Sequence, residues 1–64
     1  MKYKVDVKTK NNGISTFFAR EDNPESVMNT HIKNKDYIQF TNNAITHLIP
    51  KDEIVHICIE NVVD

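Results

Sequence analysis

The chain has 64 residues, a net charge of −1 and a single cysteine, Cys58. That length makes one domain, the interspersed charge provides no general field for nucleic acid or anionic lipid, and the lone thiol excludes an internal disulfide. Zinc-finger spacing is absent, so stability must come from good packing or self-association; a chain this short buries only about 60% of the surface its unfolded form exposes.

Residues 2–9 alternate, with Tyr3, Val5 and Val7 apolar and Lys2, Lys4, Asp6 and Lys8 polar. This predicts a half-buried strand with a locally basic polar side. Asn11-Asn12-Gly13 follows and predicts a tight hairpin, because Asn and Gly tolerate positive φ. The return strand is expected over 14–21. A two-residue Asn12-Gly13 loop sets Phe18 beside Val7, whereas a three-residue loop with a bulge sets Phe17 there. In either register one of the two adjacent rings leaves the face that carries the other.

Asn23-Pro24-Glu25 reads as a helix start: Asn23 caps, Pro24 takes the first position where its missing N–H is harmless, and Glu25 favours the positive end. The helix is expected to reach about Lys33, with Val27, Met28, His31 and Ile32 as its inward stripe. Lys33-Asn34-Lys35 supplies positive charge at its end and an asparagine suited to a left-handed cap.

Three further strands are expected: residues 36–41, 44–49 and the carboxyl-terminal stretch from Ile54. Asn42-Asn43 and Pro50-Lys51-Asp52 are read as the intervening turns. This pairing builds a meander in which Phe40 faces Ile45, Ile38 faces His47, Ile45 faces Ile57 and His47 faces Val55. One face then gathers Ile38, Phe40, Ile45, Ile49, Val55, Ile57 and Ile59 around His47. The opposite face gathers Tyr37, Gln39, Thr46, Leu48, Ile54, His56 and Cys58. The order is β-β-α-β-β-β, an α+β domain with an antiparallel sheet or a small curled barrel, SH3-like or Sm-like in architecture only.

No catalytic constellation is legible. His56 and Cys58 share a strand face two residues apart, with Thr46 expected opposite His56. A tetrahedral metal site needs at least three ligands, and His47 has the wrong parity to join them. As a nucleophile–base pair they are expected to stand too far apart, with no orienting group. His47 itself reads as a satisfied histidine at the sheet's edge. The acidic pairs Glu21-Asp22 and Asp52-Glu53 lack the alternating oxygens and glycine of a calcium loop, and one glycine leaves no phosphate-cradling loop.

The expectation is a non-enzymatic binding module without metal or cofactor, acting as a homo-oligomer or as an adaptor or inhibitor of another protein. Its contact residues are expected among Lys8, Phe17, Phe18, Arg20, Tyr37, Leu48, Ile54 and His56. The alternative is a nucleic-acid- or nucleotide-binding barrel using Lys4, Lys8, Lys10, Arg20 and a phenylalanine of the first hairpin. No apolar run is long enough for a secretion signal or membrane span, and the unpaired thiol points to a reducing cytoplasm. The Lys-, Asn- and Ile-rich composition suits a low-GC bacterium or an accessory protein of a phage or mobile element.

Overall fold

The computed structural model describes residues 1–33 and 36–62. It contains β1 (Lys2–Thr9), β2 (Gly13–Arg20), α1 (Pro24–His31), β3 (Tyr37–Asn42), β4 (Ile45–Pro50), a single 3-10 turn (Lys51–Glu53) and β5 (Ile54–Val62). The α+β class and the order of elements are those the sequence predicts. The strands form two separate antiparallel sheets, β2-β1-β5 and β3-β4, and not a closed barrel.

Alternation in β1 determines its place. Tyr3, Val5, Val7 and Thr9 are all buried and the residues between them are not. A strand with so clean an apolar side gains most at the centre of a sheet, paired on both edges. Phe17 and Ala19 of β2 extend this buried face, and Val27 of α1 with Ile38 and Phe40 of β3 cover it. Ile32, Ile49, Ile54, Ile57 and Ile59 pack around the margin, half-buried.

The first hairpin turns through Lys10, Asn11 and Asn12, with Thr9 opposite Gly13. The Thr9 hydroxyl accepts from Asn12 N at 3.1 Å and donates to Gly13 O at 3.3 Å, while Gly13 takes φ +74°. This register replaces both expected ones: Val7 faces Ser15, Val5 faces Phe17 and Lys4 faces Phe18. The expected Phe17–Val7 register differs from it by two residues, so Phe17 and Ala19 keep the core face, while Ile14 and Phe18 fall on the other.

Asn23 caps α1 as predicted, its Oδ1 accepting from Ser26 N at 2.8 Å. The helix stops at His31, two residues before Lys33, because Ile32 and Lys33 both direct their N–H to Met28 O. Asn34 and Lys35, read as part of the helix end, lie outside the described residues. Of the expected stripe, Val27 is buried, His31 and Ile32 are half-buried, and Met28 is exposed.

The second hairpin turns on Asn43 and Ala44, at φ 53° and 63°, one residue later than expected. Phe40 therefore faces His47, Ile38 faces Ile49 and Asn42 faces Ile45. The pairing moves by two residues, an even number, so each side chain keeps its predicted face.

The expected meander is wrong at its last step. β5 pairs with β1, Ile59 opposite Val5 and Cys58 opposite Asp6, and not with β4. The 3-10 turn redirects the chain: Lys51 N donates to Asp36 O at 3.0 Å and Lys10 N to Glu53 O at 2.9 Å. The second of these bonds ties the start of β5 to the end of β1, and the first ties the turn to the residue before β3. A register shift then leaves Val55 between His56, opposite Lys8, and Ile54, opposite Thr9. The extra residue reverses the parity there, so Ile54 packs against the core and Val55 is 59% exposed, the reverse of the expectation.

Candidate interaction surfaces

Among the described residues, Val27 of α1, Ile38 and Phe40 of β3 and Ile49 of β4 pack on one side of the β2-β1-β5 sheet. Its other side is built from the polar positions of β1 and their cross-strand partners. Four rows result: Arg20, Lys2 and Val62; Phe18, Lys4 and Glu60; Thr16, Asp6 and Cys58; and Ile14, Lys8 and His56. Phe18 is 56% and Ile14 63% exposed. The Lys2 ammonium stands 4.8 Å from the Phe18 ring centroid, where the negative ring face holds a cation. Thr16 Oγ1 donates to Asp6 Oδ1 at 2.6 Å, fixing the carboxylate in the middle of the face.

Lys8, Phe18, Arg20 and His56 thus share one surface. Phe17 does not: it is 3% exposed inside the core, as adjacent strand residues must diverge. Ile54 is withdrawn by the bulge described above. Tyr37 and Leu48 lie apart on the outer side of the β3-β4 hairpin, opposite Pro50 and Gln39. Lys10 sits in the hairpin turn, beyond the strand rows.

His56 Nε2 and Cys58 Sγ approach to 3.7 Å, closer than the separation expected for strand neighbours. Cys58 is exposed and its β1 neighbour, Asp6, is already engaged by Thr16. Thr46, expected opposite His56, lies in the other sheet opposite Thr41, with the two hydroxyls 3.1 Å apart. Among the described residues no three His, Cys, Asp or Glu side chains gather as a metal site.

Sequence reasoning missed an aromatic column. Phe17 stacks on Phe40 at 4.4 Å, His47 on the opposite side of Phe40 at 4.9 Å, and His31 tilts against Phe17 at 5.2 Å. The sequence signal was the shared parity of Phe40 and His47 across the turn; the join to Phe17 needed the packing of one sheet on the other. Two shallow clefts flank this column. One, of about 310 Å³, includes His47, Thr9 and Glu53. The other, of about 410 Å³, includes His31, Thr30 and Gln39. Neither includes Cys58 or His56, and both of those side chains are exposed.

Comparison with protein families, with characterised proteins and with solved structures finds no match. Among the described residues no helix is long and apolar enough to cross a membrane.

Proposed function

We propose that this chain is a non-enzymatic protein-binding module of the cytoplasm, working by self-association or as an adaptor or inhibitor of another protein. The observation that carries the reading is Phe18. Its ring is 56% exposed, with Ile14 on the same face, on a sheet side that no other element covers among the described residues. Aromatic anchors ringed by polar groups are what protein interfaces use at their energetic centre. The exposure of His56 and Cys58 supports a binding role over a catalytic one, because nucleophilic chemistry needs a positioned substrate and excluded water.

A second reading is favoured by the cations around the same ring. Lys2, Lys4, Lys8 and Arg20 occupy the Phe18 face, a combination that suits base stacking beside phosphate contacts. Asp6 and Glu60 on that face oppose it electrostatically. Complexes isolated at rising salt from cells producing the tagged protein separate the two. A protein complex that survives about 0.5 M salt and is lost in Phe18→Ala supports the first reading, because phosphate-driven binding falls steeply over that range. Recovery of nucleic acid that dissociates with salt supports the second.

A further inference from the structure

We infer that the open edge of β5 is a self-association site, where a second copy of this chain pairs its own β5 antiparallel about a two-fold axis at Cys58. The proposal deepens the self-association arm of the function above and rests on that arm.

The backbone hydrogen-bonding sides of the sheet follow from its register. Glu21 N donates to Met1 O at 3.0 Å, so the odd-numbered residues of β1 turn their N–H and C=O groups toward β2. The even-numbered residues turn toward β5 and bond His56, Cys58, Glu60 and Val62. Ile57, Ile59 and Asn61 therefore point their backbone groups away from β1, toward an edge that no strand occupies among the described residues. The strand is nine residues long, rich in Ile and Val, and carries no lysine or proline. It lacks most of the devices by which exposed edges avoid pairing.

The other edges are better defended. The outward carbonyl of Thr16 on β2 accepts from Asn42 Nδ2 at 3.3 Å, and β4 is only six residues long and ends in Pro50. What selects a second copy as the occupant of β5 is the strand's complementarity to its own reverse. With Cys58 on the axis, Ile57 faces the partner subunit's Ile59 on the core side, and both are half-buried in the isolated chain. On the outer side His56 faces the partner subunit's Glu60, twice by symmetry. Moving the axis to Ile57 or Ile59 sets His56 against Cys58, or Glu60 against Cys58, and loses the imidazole–carboxylate pairing. Two-fold pairing produces one continuous six-stranded sheet and closes the assembly at two copies.

In this register the Cys58 pair is of the non-hydrogen-bonded kind, with Cα atoms about 4.5 Å apart, within the range a disulfide spans. Cysteine scanning with diamide, which takes up the two electrons and two protons released when two thiols join, reads the register directly. Wild type is expected to cross-link through Cys58 at concentrations where sedimentation shows a dimer. With Cys58→Ser as background, His56→Cys alone and Glu60→Cys alone place their thiols about 13 Å from their own copies along the strand and are expected not to cross-link. Mixing those two variants is expected to restore the bond.

His56→Glu sets like charges opposite Glu60 twice while still facing Lys8 within its own chain; it is expected to weaken the dimer about tenfold. Adding Glu60→Gln is expected to recover most of the loss. A protein that sediments as a 7.4 kDa monomer at every concentration overturns the β5 site and leaves the function above to a foreign partner. A dimer lost in Phe18→Ala but indifferent to His56→Glu also overturns it, while supporting self-association through the outer face.

Discussion

The ring of Phe17 lies on that of Phe40 with centroids 4.4 Å apart and planes within 12°. The first belongs to β2 and the second to β3, so this stack joins the two sheets. Its neighbour Phe18 lies on the opposite side of β2, exposed to solvent.

Adjacent phenylalanines should therefore respond oppositely to truncation. Phe17→Ala empties a buried site and is expected to lose about 3–5 kcal/mol, enough to unfold much of a domain this small; Phe17→Leu should lose less and remain measurable. Phe18→Ala is expected to change stability by no more than about 0.5 kcal/mol. Urea denaturation checks all three. Equal losses at the two positions would mean that Phe18 is also covered.

Both hairpin turns favour glycine at a positive-φ position, and only one of them has it. Ala44 holds φ 63° with a Cβ, a conformation that costs about 1–2 kcal/mol for L-residues. Ala44→Gly is accordingly expected to raise the unfolding midpoint by up to about 1 kcal/mol in stability. Gly13→Ala, at φ +74°, is expected to lower it by about 1 kcal/mol, through backbone strain alone since no atom lies within 4 Å of the added methyl. Thermal unfolding of both variants tests the pair.

The bulge in β5 predicts which of two neighbouring aliphatics matters. Ile54→Ala removes a side chain packed on the core margin and is expected to lose about 1–3 kcal/mol, the half-burial reducing the full core value. Val55→Ala, at an exposed position, is expected to lose under about 0.5 kcal/mol. Denaturant midpoints that reverse this order would place the bulge elsewhere.

Local features were legible in the sequence and long-range pairing was not. The alternation of Tyr3, Val5 and Val7 identified a strand and its inner face. Asn23-Pro24 identified the helix start, and the Ile57–Ile59 and His56–Cys58 parities identified the two sides of β5. Each of these depends on residues a few positions apart. The partner of β5 is decided by competition between β1 and β4, both amphipathic, and turn residues at 50–52 suggested the nearer one. The 3-10 turn and its bonds to Asp36 and Lys10 decide for β1, and no local pattern records them. The binding candidates divide the same way: Lys8, Phe18 and Arg20 share the face of a hairpin the sequence announces, His56 joins them only through that unforeseen pairing, and Ile54 was removed by one extra residue.

Residue-resolved amide exchange along β5 tests the central claim most directly, because pairing with β1 on one side only must leave an alternating record. In dilute solution the amides of His56, Cys58 and Glu60 are expected to be protected and those of Ile57, Ile59 and Asn61 to exchange fast. Raising the concentration is expected to slow Ile57, Ile59 and Asn61 selectively as two edges join. Protection of Ile57 and Ile59 that is already complete in dilute solution and unchanged by concentration would contradict the account, since that edge would then be paired within a single chain.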